Sequence, residues 1–408
     1  MRLSTLSIYS TATSQLNTLQ SAMARTQMQL STERRILTPA DDPVASARAL
    51  EVSQSQEMNT QYGTNRSSAR SSLTMVESSL QNAGNLLQDI QQLAVNAGNG
   101  TMVQSDREAL ATELEGRLAD LLGVANSTDG SGGYLFSGYM ATTKPFSQTP
   151  TGAQYNGDQG LRQLQVGASR KMPLSAPGST VFEGSMTGNG TFQTQAAGAN
   201  TGAAIISSGS VTDRSALTGN DYALTFTVAA GTPPVTTYSV NDMSTVPPTA
   251  VLANQPYQAG KEISFGGMSF DIKGEPANGD TFTVKPSEKQ SIFTTVTDLV
   301  AALRAPAEGS SGKAALSNKL NTALDNLKAG HDNVLTVQAS VGAHMKELDY
   351  LDSAGDDLGV QYASTLSDLQ DLDMVKAISD FSAQQLTLQA AQMSFKTMSG
   401  LSLFNYLG

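Results

Sequence analysis

Apolar residues recur along both ends of this chain at alternating steps of three and four. Tyr9, Ala12, Leu16, Leu19, Met23, Thr26 and Leu30 form one such stripe, and Ala69, Leu73, Val76, Leu80, Ala83, Leu87, Ile90 and Ala94 form a second. A third begins at Leu316 and runs through Leu320, Ala323, Leu327, Gly330, Val334, Val337, Val341, His344, Leu348 and Leu351. It continues to Leu369 and Leu372, slips phase once, and resumes as Met374, Ile378, Phe381, Gln385 and Leu388. Several heptads in register predict long helices packed as in a coiled coil. At 1.5 Å per residue, the stretch from Leu316 to Leu351 alone is about 50 Å long, so an elongated rod is expected.

Between the helical ends, residues 128–289 are rich in Gly, Thr and Ser, and the period changes to two. Tyr222-Ala223-Leu224-Thr225-Phe226-Thr227-Val228 alternates, as do the segments on either side of Gly266-Gly267, a two-residue hairpin signal. Thr281-Phe282-Thr283-Val284 follows the turn Asn278-Gly279-Asp280. The expected fold class is α+β, mainly α: paired N- and C-terminal coiled-coil helices, a long-helix bundle and an inserted antiparallel β domain. The expected division is 1–38, N-terminal helix; 39–185, bundle with a β-hairpin region; 186–289, inserted β domain; 290–364, return helices; and 365–408, C-terminal helix. Gly98-Asn99-Gly100 predicts a helix end, and Ser105-Asp106-Arg107-Glu108 predicts a capping box that starts the next helix.

Composition narrows the chemistry. Among 408 residues there are 25 Lys+Arg against 36 Asp+Glu, no Cys, no Trp and two His. A net charge of -11 lacks the counterion-releasing surface that nucleic acid requires. Without Cys there are no disulfides, thiolate metal sites or thiol nucleophiles. His331 and His344 lie 13 residues apart, about 140° around one helix, and do not share a metal within one chain. Asp349, Asp352, Asp356 and Asp357 match no calcium-loop spacing, and together with Asp371 and Asp373 they read as solvated helix faces. Neither a Gly-x-Ser-x-Gly elbow nor a P-loop is present. No enzyme, cofactor or metal is expected. The longest apolar run, Leu299-Val300-Ala301-Ala302-Leu303, is too short to insert in a membrane, and no signal-peptide core follows Met1.

The terminal stripes carry an energetic argument. Ordering residues 1–37 costs about 1–2 kcal/mol each, whereas each buried large apolar side chain returns about 1.5–3 kcal/mol. A lone amphipathic segment of this kind barely breaks even, so the stripe predicts a partner. The two ends are expected to pair with each other and with neighbouring subunits through Leu16, Leu19, Met23, Leu30, Ile378, Phe381, Leu388, Phe395 and Leu403. The prolines of Thr38-Pro39 and Asp42-Pro43 stop the first helix, and Asp41 or Asp42 can cap the next. Arg35, Pro39, Asp41, Asp42 and Pro43 are thus expected to form a spoke between the terminal helices and the bundle.

These segments also carry a resemblance. Arg35-Ile36-Leu37-Thr38-Pro39-Ala40-Asp41-Asp42-Pro43-Val44-Ala45, then Gly133-Tyr134-Leu135-Phe136-Ser137-Gly138 followed by Lys144-Pro145-Phe146, are similar to segments of the flagellin superfamily. So is Val337-Gln338-Ala339-Ser340-Val341-Gly342-Ala343, although a basic residue is common where Gln338 stands. Gly274 to Phe282 resembles a segment that recurs in the superfamily's hook-associated proteins, and the ending from Gln384 to Leu407 is similar to that of its junction members. The resemblance implies an extracellular structural adaptor of the bacterial flagellum, connecting the hook, through another hook-associated protein, to the flagellin filament. It implies self-association in a ring layer, export without a cleaved signal peptide, and an export chaperone on the C-terminal helix. A flagellin-type filament subunit or a secreted surface adhesin is the alternative.

Overall fold

The computed structural model describes residues 5–231 and 234–400. Seven α-helices are present among them: α1 (Thr5–Thr32), α2 (Pro43–Ala97), α3 (Gln104–Ala125), the short α4 (Gly178–Phe182), α5 (Ile292–Arg304), α6 (Gly309–Gln370) and α7 (Met374–Gly400). The chain divides into two compact units, one comprising residues 1–65 and 350–408, the other residues 66–349.

In the second unit the α2 stripe from Ala69 to Ala94 is buried at all eight positions. On α6, Leu320, Ala323, Leu327, Val334, Val341 and Leu348 are buried as well. Helix α3 packs on α5 and buries Ala111, Leu114, Leu121 and Ala125. Helix α5 contains the Leu299–Leu303 run and turns Phe293, Val296, Leu299 and Leu303 inward. The stripe member Gly330 has a packing reason, because a Cβ there would lie 2.8 Å from Ile292. The start of α3 departs from the expected capping box. Helix begins at Gln104, and the Asp106 carboxylate accepts from the Val103 N–H at 3.3 Å. Ser105 already lies inside the first turn, so only the carboxylate half of the motif forms.

Two small hairpins, β1 (Phe146–Thr149) with β2 (Gly152–Tyr155) and β3 (Gln163–Gly167) with β4 (Arg170–Pro173), follow α3. Phe146 stacks among Tyr155, Phe182 and Phe293, with ring centroids 5.0–5.5 Å apart.

The inserted β domain has two antiparallel sheets. One is ordered β10 (Thr249–Pro256), β9 (Val235–Asp242), β8 (Tyr222–Ala229), β13 (Thr281–Pro286), β5 (Phe192–Ala196). The other is ordered β11 (Glu262–Phe265), β12 (Met268–Lys273), β6 (Ile205–Ile206), with β7 (Ser210–Val211) also paired to β12. Period-two burial along β8 places Tyr222, Leu224 and Phe226 in a core shared with Phe265, Phe270, Ile272 and Phe282. The Gly266-Gly267 signal is the β11–β12 turn, and both glycines take positive φ, 55° and 75°. A side chain at Gly267 would collide with the Asp213 carbonyl. After the Asn278–Asp280 turn, the buried Asp280 carboxylate accepts from the N–H groups of Thr201, Gly202 and Ala277 at 2.8–3.0 Å.

Candidate assembly interface

Within the first unit, α1 and α7 lie side by side and antiparallel. Tyr9 meets Phe395 edge-on at 5.8 Å, and near the other end Thr26 Oγ1 donates to Gln384 Oε1 at 3.0 Å. On α1 the side facing the partner holds Tyr9, Ala12, Leu16, Leu19, Met23, Thr26 and Leu30, the stripe read from the sequence. Thr26 is buried, whereas the other six remain half-buried. On α7 the inward positions are Ala377, Phe381, Gln384, Leu388, Ala391 and Phe395. Phe381 and Leu388 therefore sit where the stripe places them, and Phe395 lies one heptad beyond Leu388 on the same face.

Ile378 does not. It is 53% exposed and belongs to a second apolar stripe with Val375 (83%), Leu386 (69%) and Met393 (65%). At about 100° per residue, this stripe centres about 150° from the inward face. The α7 seam alternates the small or polar Ala377, Gln384 and Ala391 with the large Phe381, Leu388 and Phe395, so a reading by large side chains takes Ile378 in place of its neighbour Ala377. Leu403 lies outside the described residues.

The outer surface of the pair carries a further signal. No charged residue occurs between Thr5 and Ala24 or between Phe381 and Phe395. The exposed side of α1 presents Ser10, Thr13, Ser14, Asn17, Thr18 and Ser21 instead. Hydroxyls and amides can be buried at modest cost when they find partners, whereas charges cannot. Both features were legible in the sequence as an absence of charge and a second stripe.

The residues expected to form a spoke lie where residues 33–43 cross residues 369–373. Glu33 leaves α1 with φ 58°, and its carbonyl accepts from the Leu372 N–H at 2.9 Å. Arg35 spans the crossing: its N–H donates to the Gln370 carbonyl at 2.7 Å, Nη2 donates to the Leu369 carbonyl at 2.7 Å, and Nη1 reaches Asp42 at 3.2 Å. Asp42 is the N-cap of α2, accepting from the Ala45 N–H at 3.0 Å, with Pro43 as the first helical residue. Asp41 has a different task. Its Oδ2 accepts from the N–H groups of Leu37 and Thr38, the two residues before Pro39, and Arg25 donates to Oδ1 at 2.6 Å.

These bonds hold both carboxyls below their ordinary value of 3.8. The Thr38 N–H leads for Asp41, and the Ala45 N–H followed by the Arg35 side chain leads for Asp42.

Asp371 and Asp373 are not merely solvated. Arg34 and Asp371 pair as an isolated antiparallel bridge, and Asp373 Oδ1 caps α7 by accepting from the Lys376 N–H at 3.0 Å. The phase slip in the heptads is this break between α6 and α7. In the second unit, Asp349 pairs with Arg70 at 2.7 Å, His331 lies 3.4 Å from Gln88, and His344 lies 3.9 Å from Glu347.

Comparison with known proteins agrees with this architecture. The model of the bacterial flagellin N-terminal helical region matches residues 3–141, and that of the D2-like domain of flagellar hook-associated protein 1 matches residues 195–286. Over 408 residues the chain is 30% identical to flagellar hook-associated protein 3 of Salmonella typhimurium, covering 99% of each. The crystal structure of flagellar hook-associated protein 3 from Legionella pneumophila has a TM-score of 0.74 at 32% identity, covering 78% of this chain and 98% of that one. The crystal structure of FlgL from Xanthomonas campestris, in space group C2, has a TM-score of 0.70 at 30% identity, covering 78% and 99%.

Proposed function

Because the chain belongs to the flagellar hook-associated protein 3 family, we propose that it works as a structural junction of the bacterial flagellum, with the paired terminal helices as its assembly surface. Copies of the chain form a layer that accepts a preceding hook-associated protein on one side and flagellin on the other. The observation that carries this reading is the two-faced α7. One apolar face is closed by α1, and Val375, Ile378, Leu386 and Met393 stand exposed on the other side of a helix whose middle is free of charge. Burying such a surface against sister molecules removes apolar area from water at about 25 cal/mol per Å², and between Phe381 and Phe395 no charge has to be desolvated.

Residues 1–38 and 365–408 form the inner terminal part in this reading. Residues 39–185 and 290–364 form the bundle outside it, and residues 186–289 the inserted domain. The Arg35–Asp42 crossing is the spoke between inner and outer parts. Before export without a cleaved signal peptide, a chaperone covers the C-terminal helix. No step calls for catalysis, a cofactor or membrane insertion.

A flagellin-type filament subunit is not favoured, since the full-length likeness is to hook-associated protein 3. Immunolabelling of intact flagella tests the reading: signal confined to the hook–filament boundary is expected, and signal along the filament would exclude a junction role. Purified chain should likewise fail to elongate into filaments by itself.

A further inference from the structure

The β domain has a core of its own, drawn from residues 192–284. Its two connections to the helices run together: Met186 pairs with Lys289 as an isolated bridge, the Thr187 N–H donates to the Glu288 carbonyl at 2.9 Å, and Ser185 Oγ donates to the Gln290 carbonyl at 3.0 Å.

Side-chain amides tie the domain to α6. Asn318 Nδ2 donates to the Ala204 carbonyl at 3.0 Å, and its Oδ1 accepts from the Ile206 N–H at 3.0 Å. One amide thus takes the place of a neighbouring strand on the edge of β6. About two turns further along α6, Asn326 Oδ1 accepts from the Gly188 N–H at 2.8 Å. Between them, Ser208 Oγ donates to the Asp325 carboxylate. Asn318 and Asn326 are only 7% and 6% exposed. Clefts of about 330 and 570 Å³ open beside this contact, the first past Gln193 and Lys319, the second past Asn189 and Lys328. The domain therefore rests on α6 through paired polar groups, with open space alongside.

We propose that Asn318 and Asn326 are positioning residues that hold residues 192–286 as one rigid body in a single pose on α6, Asn318 through Ala204 and Ile206, and Asn326 through Gln193 Nε2, which donates to its Oδ1 at 3.4 Å, and through the connection at Gly188. Without them the body swings on residues 184–191 and 287–291. A buried polar group that loses its partner must find another, and water entering from the flanking clefts can reach the Ile206 and Gly188 N–H groups without any change in the β core. This inference does not rest on the flagellar reading, since it concerns the isolated chain.

The absence of Cys makes the test direct. Spin labels at Thr245→Cys in the β9–β10 loop and Ser340→Cys on α6, both exposed positions, report the pose in the full-length chain by pulsed dipolar spectroscopy. A single narrow distance distribution is expected. Asn318→Ala with Asn326→Ala should broaden it about twofold or more and speed amide exchange at Ile206 and Gly188 by about tenfold, leaving Leu224 and Phe282 protected. A distribution already broad before substitution, or one unchanged by the double substitution, overturns the proposal. So does loss of protection at Leu224 and Phe282 together with Ile206, because the amides would then serve folding rather than pose.

Discussion

The α2 seam in the second unit and the α1–α7 seam in the first are written with the same three-four spacing, yet they bury very differently. From Ala69 to Ala94 every seam position of α2 is shut from solvent, whereas Leu16, Leu19, Met23 and Leu30 stay half-buried on a helix of 28 residues. A seam closes when several elements converge on it; a two-helix contact covers one side and leaves the flanks open. The difference teaches that one repeat serves two purposes. In the bundle it makes a core within the molecule, and in the terminal pair it leaves a half-open surface, which under the proposed function other molecules complete.

The contrast can be broken most decisively on the outer face of α7. Leu386→Asp should abolish incorporation into flagella, scored by motility and immunolabelling, while thermal melting of the isolated chain moves little, since exposed substitutions change stability by about 0.5 kcal/mol or less. A matching fall in melting temperature would mean that this face belongs to the monomer. In the bundle, Leu80→Ala should cost about 2–5 kcal/mol in urea unfolding. Leu16→Ala should cost clearly less, and equal losses would erase the distinction.

Hydrogen exchange on the monomer sharpens the comparison further. The terminal helices should exchange at least about 100-fold faster at Leu16 and Leu388 than α2 does at Leu80. Comparable protection at all three would mean that the pair is self-sufficient.

The spoke should show the smallest effects, and they depend on pH. Asp41 and Asp42 both have carboxyls lowered below 3.8 in the folded chain. Their contribution is present above that value and is lost as pH falls through the lowered folded values. Protection at Leu37, Thr38 and Ala45, measured relative to the intrinsic exchange rate at each pH, should therefore fall in acid below about pH 4 before the bundle loosens. Asp42→Ala should produce the same local fraying at neutral pH and weaken assembly more than melting, because Arg35 loses one of its anchors across the crossing. Equal losses in both assays would reduce the spoke to an ordinary turn.

Much of this architecture was legible in the chain. Heptad spacing located α1, the buried half of α2 and α6, and period two with Gly266-Gly267 located the β8, β11 and β12 strands. These signals are local, since helix and strand each repeat over a few residues and leave a periodic trace. The Thr38-Pro39 and Asp42-Pro43 stops were also local, because proline acts on the residue beside it.

What only the tertiary structure decided is which surfaces meet. Ile378 and Ala377 are adjacent, and the choice between them on α7 depended on where α1 lay, not on hydrophobicity. The capping role of Asp373 depended on α6 ending at Gln370, and Asn318 found its partners more than 110 residues away on β6. Side-chain amides and carboxylates satisfy whichever backbone groups the fold brings to them, so their tasks leave no periodic mark in sequence. Periodicity determines the elements and the existence of an apolar face; long-range packing determines whether that face becomes core or stays open for a neighbour.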